Sequence, residues 1–374
     1  MSAPERALAR VDLGAVERNC AHLRSLLAEG AELCAVVKAN GYGHGDVWCA
    51  RAALRGGATW LAVATAAEAL ELRRHGIAAR ILVQGALTHA EERMALEAGA
   101  DVVAWREGFV RGLAERAAAN GAPARVHVKL DTGMGRLGTT DPAEARAVAD
   151  LIAADARLEL AGLMTHFATA DELGDEHFAL QLERFHAWVD ETRAAHPGAI
   201  AHAANSAATF RDRGAHFDLV RCGIAIYGLD PFQRDPSERG LEPALSLESY
   251  VAAIKRFEPG QSAGYGRTWS ASEPTDVGVV PIGYGDGFRR ALSGDADVLV
   301  RGRRRPLRGT VSMDNLTIDL GSGGDVEEGD RAVLIGAQGG ERILCEEVAR
   351  RSETINYEVT CALTARVRRA HVEP

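Results

Sequence analysis

Lys38 closes the apolar run Leu33–Val37. A charged amine in that position is costly unless it is paired or neutralised. Two readings fit: a lysine that snorkels toward solvent, or an amine whose lowered pKa suits Schiff-base chemistry. A second group lies far along the chain, where Asn205 and Ser206 precede Ala-Ala-Thr and a separate turn reads Cys222-Gly223-Ile224. A hydroxyl, a helix start and closely approaching backbone N–H groups are what a phosphate needs. Taken together, the two groups suggest an aldehyde-bearing phosphorylated cofactor. The glycine-rich stretch Gly133–Gly138 matches G-x-G-x-x-G, but the next helix is expected only after Asp141-Pro142, so these glycines do not open a dinucleotide site. Gly41–Gly45 lacks the ending of a phosphate-binding P-loop, and His44, His166 and His202 show no metal-ligand spacing, so no metal is expected.

These residues need elements to position them. Short apolar, β-prone runs at Leu33–Val37, Trp60–Ala64, Arg80–Gln84, Asp101–Ala104, Arg125–Leu130, Leu158–Met164, Ala199–Ala203 and Asp218–Ile224 alternate with helical stretches. Ala66–His75, His89–Ala98 and Glu176–His196 carry apolar residues at helical spacing. Asp141-Pro142 supplies a cap and a first-turn proline, and Gly30, Gly76 and Gly99 follow helical runs where a left-handed cap is wanted. Eight such units predict an α/β fold, an N-terminal (β/α)8 TIM-like barrel over residues 1–240, with an open doubly wound sheet as the competitor. Reactive residues of such barrels sit at the C-terminal strand ends. Lys38, Arg136, His166, Asn205, Ser206, Arg221, Gly223 and Ile224 all follow or end predicted strands, so they should share one rim.

Residues 241–374 have a different texture. Val277–Ile282, Val298–Val300, Leu316–Leu320 and Ala332–Ile335 are separated by turn residues, and little helix is expected beyond Leu344–Arg351, so this part reads as mostly β. Net charge is -9, which argues against nucleic acid or an acidic membrane surface as partner. The basic cluster at 301–308 is expected to be a solvated strand-and-turn face. Six cysteines without a Cys-x-x-Cys pair point to small buried hydrophobes in a reducing compartment. With no apolar signal region and no membrane-length run, a cytoplasmic protein is expected.

The motifs reached so far resemble those of the alanine racemase family. AVVKANGYGHG at 35–45 resembles its cofactor-lysine motif and KLDTGMGRLG at 129–138 its substrate-arginine segment. MTHF at 164–167, ANSA at 204–207, VRCGIAIYG at 220–228, AGYGRTW at 263–269, GYGDG at 283–287, SMD at 312–314 and INYEV at 355–359 follow in the family's order. Several are common alone; the ordered set, spanning nearly the whole chain, is specific. Cys222 stands where the family often has proline, which touches only local loop shape.

The resemblance implies a pyridoxal-5'-phosphate-dependent isomerase interconverting L- and D-alanine for cell-wall peptidoglycan, with Lys38 carrying the cofactor. It further implies phosphate contacts from Tyr42, Ser206, Gly223, Ile224 and Tyr357, with Asn205 beside them, and Arg221 facing the pyridine nitrogen. Arg136 and the backbone near Met313 would hold the substrate carboxylate. Tyr265 and Met313 would come from the partner subunit of a homodimer, and Lys129 could be carbamylated. Racemisation needs proton-handling groups on both faces of one carbon, here Lys38 and Tyr265. A phenol ordinarily titrates near about 10, so a cationic network through His166 to Arg221 would have to lower it. Arginine only donates, so it leaves the pyridine nitrogen unprotonated and weakens the electron sink, which favours racemisation over transamination or decarboxylation. A barrel decarboxylase of basic amino acids would instead carry an acid at that nitrogen. A cofactor-binding protein without catalysis would not need the β domain, and a racemase of broader substrate range stays open.

Overall fold

The computed structural model describes residues 5–373 and divides into two compact units, Val16–Ile226 and a second that joins the residues through Ala15 to those from Tyr227 onward. The division expected at 240 thus lies at 226/227, and the N-terminal residues go with the β unit. The reason is a strand, Leu8–Asp12, too short to stand out in sequence. Leu8, Ala9 and Val11 are buried, and the strand pairs antiparallel with Leu245–Tyr250 and parallel with Arg368–Val372.

Val16–Ile226 is the (β/α)8 barrel. Its parallel strands are Glu32–Val36, Trp60–Val63, Arg80–Val83, Asp101–Ala104, Ala124–Lys129, Leu158–Met164, Ile200–His202 and Leu219–Cys222, each within one or two residues of expectation. The last strand pairs back onto the first, Glu32 opposite Leu219 through Ala35 opposite Cys222. Between the seventh and eighth strands, single bonds from Asp218 N–H to Ala201 O (3.1 Å) and from Arg221 N–H to Ala204 O (2.9 Å) take the place of a ladder. Strands covered on both faces explain the unbroken apolar runs. The helices begin as their sequences require. Thr65 with Glu68 and Thr88 with Glu91 form capping boxes, and Asp141 accepts the Ala143 N–H at 2.8 Å ahead of the helix Pro142–Ala153. Gly30, Gly76 and Gly99 all adopt positive φ.

The other unit is mostly β. Its main sheet runs Ala253–Phe257, Thr275–Val280, Leu316–Gly321, Arg303–Arg308, Asp297–Val300, Arg331–Gln338, Leu245–Tyr250, Leu8–Asp12, Arg368–Val372. After the expected helix, Cys345–Arg351, comes a second, Asn356–Cys361, whose six residues are too few to show helical periodicity. Its Asn356 amide donates to Asp230 O and to Glu346, which anchors the turn. The basic cluster is a strand, but it is less solvated than expected. Arg305 is 8% exposed and pairs with Asp325, while Arg301 meets Asp330 and Arg304 meets Glu347. Five cysteines are buried thiols, whereas Cys361 is exposed. Among the described residues no helix is long and apolar enough to cross a membrane.

Candidate active site

Lys38 emerges from the first barrel strand into an uncommon turn. Ala39, Asn40, Gly41, Tyr42 and Gly43 all have positive φ, between 52° and 86°. Left-handed conformation costs on the order of 1–2 kcal/mol at each non-glycine residue, so the surroundings must hold it. Glu68 accepts the Ala39 N–H at 2.7 Å, and Asn40 Oδ1 accepts that of Asp46 at 3.2 Å. His44 Nδ1 lies 3.0 Å from both Gly41 O and Tyr42 O. The lysine therefore leaves the strand on a pinned, short-radius turn.

On the neighbouring eighth strand, Arg221 is 3% exposed and held through both terminal nitrogens. Its Nη2 donates to Thr165 O (2.8 Å) and Ala203 O (3.0 Å), and its Nη1 to His202 Nδ1 at 2.7 Å. Burial lowers its pKa to about 10, so it remains a cation at neutral pH. Nη2 also lies 3.3 Å from His166 Nδ1. Burial, then the charge of Arg221, holds His166 well below the usual imidazole range. The positive charge of this network thus resides on Arg221. Because arginine cannot accept, a hydrogen bond between the two requires a bare His166 Nδ1 with the proton on Nε2.

Lys129 ends the fifth barrel strand and is 3% exposed. Burial, then the neighbouring charges of Arg221 and Arg136, lowers its pKa to about 8, so a neutral amine is accessible near physiological pH. Arg136 rides on a loop folded around one anion. Asp131 Oδ1 accepts the N–H groups of Gly133 (3.0 Å), Met134 (2.7 Å) and Gly135 (3.1 Å), and Oδ2 that of Arg136 (3.1 Å). Gln181 ties this loop to the next, donating to Thr132 Oγ1 (3.2 Å) and His166 O (3.1 Å) while accepting the Ala168 N–H (2.8 Å).

The candidate phosphate cradle is built from three segments. The Ser206 hydroxyl accepts the N–H groups of Gly223 (3.0 Å) and Ala225 (3.3 Å), and Asn205 caps Ala208 N–H at 2.9 Å. A Cβ at Gly223 would sit 2.3 Å from the Tyr42 hydroxyl oxygen, so the glycine is what lets that phenol approach the backbone so closely. The helix behind the cradle, Ser206–Arg211, has only six residues and a correspondingly small dipole. Cys222 sits behind the cradle with its sulfur 3.4 Å from Thr209 Oγ1.

Three expected site residues lie in the other unit. Tyr265 is 73% exposed on a tight turn, Tyr265–Arg267, whose Tyr265 carbonyl accepts from Thr310 Oγ1 at 2.8 Å. Met313 is 51% exposed, and its carbonyl accepts the Gly285 N–H at 2.9 Å. A Cβ at Gly283 would lie 2.1 Å from Ser312 O, which explains a glycine in that motif. Tyr357 is half-buried in the helix Asn356–Cys361.

Comparison with known proteins follows the same outline. Residues 11–231 match the model of the alanine racemase N-terminal domain and residues 244–371 that of the C-terminal domain. The chain belongs to the alanine racemase family. The alanine racemase of Symbiobacterium thermophilum is 43% identical over 96% of both chains, and that of Geobacillus stearothermophilus 42% identical over 96% of this chain and 92% of its own. The solved alanine racemase of the D-cycloserine producer Streptomyces lavendulae superposes with a TM-score of 0.92 at 38% identity, covering 99% of this chain and 98% of that one. The isomerase family and the barrel-plus-β fold implied by the motifs are thereby established.

Sequence inspection missed Asp131 and Gln181, which hold the Arg136 loop, and gave no role to the buried interior residues Asp101, His127 and His202. One signal was available. His127 and Lys129 lie two apart on one strand and so share a face, and that face is the buried interior.

Proposed function

We propose that the chain is a pyridoxal-5'-phosphate-dependent alanine racemase working as a cytoplasmic homodimer, supplying D-alanine for peptidoglycan. The observation that carries this reading is Arg221, a buried donor-only cation at the barrel rim that shares its loops with His166 and the Ser206–Gly223 cradle. The convergence of the Tyr42 and Ser206 hydroxyls on Gly223 supports a phosphate group held there. In this reading Tyr42, Asn205, Ser206, Gly223, Ile224 and Tyr357 hold the cofactor, and Lys38 is its covalent attachment. The cofactor, when bound, acidifies the α-carbon of the amino acid joined to it.

The chain's own groups do the rest. Lys38 moves the α-proton on one face and Tyr265 of the partner subunit on the other. The 73% exposure of Tyr265 within one chain supports a role that a second subunit would cover. His166, neutral with its proton on Nε2, offers a donor to a phenolate, while Arg221 supplies the charge. Arg136 and the backbone at Met313 hold the substrate carboxylate. A neutral Lys129 amine can take up carbon dioxide with release of a proton, and the resulting carbamate would pair with Arg136. The residues from 241 onward supply Tyr265 and Met313 to the partner's site. Buried free thiols support a reducing compartment.

Incubation with L-alanine followed by chiral chromatography tests the reaction, and borohydride trapping with peptide mapping tests Lys38. Failure to form D-alanine in loaded protein, or a label on another side chain, would overturn it.

A further inference from the structure

The interior of a (β/α)8 barrel is ordinarily filled by layers of apolar side chains. This one carries a continuous polar line instead. It starts at Asp101, the first residue of the fourth strand, and ends at Arg221 on the eighth. Asp101 Oδ2 lies 2.9 Å from His127 Nε2, His127 Nδ1 lies 2.8 Å from His202 Nε2, and His202 Nδ1 lies 2.7 Å from Arg221 Nη1. Asp101, His127 and His202 are wholly buried. Buried polar groups of this kind are costly unless every member is satisfied.

The protons on the line have one consistent arrangement. Arginine only donates, so His202 Nδ1 is bare and its proton is on Nε2. That proton points at His127 Nδ1, which must then be bare as well, leaving the His127 proton on Nε2, aimed at Asp101. A carboxylate only accepts, so the far end agrees with the near end. Asp101 is kept as the anion. Burial pushes its carboxyl up, but the hydrogen bond from His127 and the guanidinium of Arg80 bring it down to about 2. Arg80 and Arg125 donate to its two oxygens at 2.9 and 2.6 Å. Burial, then the charge of Arg221, holds His202 well below the usual imidazole range, in the neutral form the line requires.

The barrel wall makes room for this. A Cβ at Gly162, on the adjacent sixth strand, would stand 2.3 Å from His127 Nδ1 and 3.0 Å from Ile200 O. The glycine is there for space, since no positive φ demands it. Trp60 packs edge-on against the His127 ring, at 5.8 Å between centroids, closing the other side.

We propose that Asp101, His127 and His202 are positioning residues, a hydrogen-bonded line of fixed polarity that runs through the barrel and locks the Arg221 guanidinium in orientation, with Gly162 as the space that admits it. The polarity belongs to the chain itself; its consequence for turnover rests on the cofactor reading above. An asparagine at 101 would turn either its NH2 toward His127 or its NH2 toward Arg125. The first reverses the line and sets a His202 N–H against an Arg221 N–H, and the second breaks the anchor.

The test begins with the cofactor-free protein, labelled with nitrogen-15 in histidine and unmutated. Ring-nitrogen NMR identifies His127 and His202 by their mutual contact and by the indole of Trp60. Both should be neutral with the proton on Nε2. A proton on Nδ1 of His202, or a doubly protonated His127, overturns the proposal. Gly162→Ala should lose the His202 Nε2 tautomer, and Asp101→Asn either that tautomer or the Arg125 hydrogen bond at 101, both while retaining the circular dichroism of the parent. In loaded enzyme, kcat should fall about 10–100-fold, the usual cost of losing such a supporting partner, with KM changing far less. Folded variants that keep the parent kcat overturn the positioning role. Expected tautomers in a protein that never racemises alanine would support the line and sink the functional reading alone.

Discussion

A side chain at position 223 and the phenol of Tyr42 compete for the same space, since a Cβ there would lie 2.3 Å from the Tyr42 oxygen. Tyr42 is itself held on a left-handed turn, so it has little freedom to retreat. Gly223→Ala should therefore raise the Kd for pyridoxal phosphate by tenfold or more, about 1.4 kcal/mol, while leaving the barrel folded. Equilibrium titration of cofactor-free protein, followed by absorbance, measures this. An unchanged Kd would remove the Tyr42–Gly223 contact from the phosphate site.

Asp131 offers a different kind of control, over a loop and not a cavity. Its carboxylate accepts four backbone N–H groups, and Asp131→Ala would orphan all of them. Each hydrogen bond to a charged acceptor is worth about 1.5–3 kcal/mol, but the exposed loop can rehydrate, so a net loss of about 2–4 kcal/mol is expected. Burial acts to raise the carboxyl, yet the four N–H donors leave it below the usual carboxylate value. A folded pKa below the unfolded one gives stability that is complete above the unfolded value, about 4, and disappears as the pH falls through the folded value. Parent and variant should therefore converge in acid and differ at neutral pH. KM for alanine should rise more than kcat falls, because the loop carries Arg136. Calorimetry across pH, with steady-state kinetics, checks both parts.

Lys129 gives the opposite sign. Its folded pKa of about 8 lies below the ordinary lysine value, so the unfolded chain binds more protons between about 8 and 10.5, and uncarbamylated protein should gain stability as the pH rises through that window. The gain has an upper bound of about 3 kcal/mol. Lys129→Met should flatten the Tm profile there. In bicarbonate buffer the parent should gain the mass of one carbon dioxide, and the variant should not. A parent Tm that falls steadily from pH 8 would contradict the lowered pKa.

Much of this architecture is legible in the chain because two periodicities coincide with real burial. Barrel strands enclosed on both faces read as unbroken apolar runs, and the capped helices between them carry their own start signals at Thr65, Thr88 and Asp141. Lys38, Ser206 and Arg221 are visible because a polar residue interrupting or ending such a run is conspicuous. Leu8–Asp12 is not, since five residues gain strand character only from partners more than two hundred positions away. Asp131 hides for another reason: it looks like an ordinary turn aspartate until the four N–H groups converge on it. His127 and His202 each sit singly on either side of the Leu158–Met164 strand, and only the missing side chain of Gly162 lets the rings come to 4.9 Å.

The last prediction concerns the pairing of chains. Lys38 belongs to the barrel unit and Tyr265 to the β unit, and Tyr265 is exposed in the single chain. If each site takes its phenol from the partner, Lys38→Ala and Tyr265→Ala homodimers should each lose racemisation, for different reasons. The first should fail to be labelled by borohydride, and the second should load normally but exchange the α-proton of only one enantiomer in deuterium oxide. Co-refolding the two inactive variants should recover activity, because one of the two sites in a mixed dimer carries both intact residues. That mixed dimer should reach at most half the parent rate per dimer, since its other site lacks both groups. A site built within one chain predicts the reverse. Every site in the mixture would still lack one group, and purified mixed dimers would stay inactive.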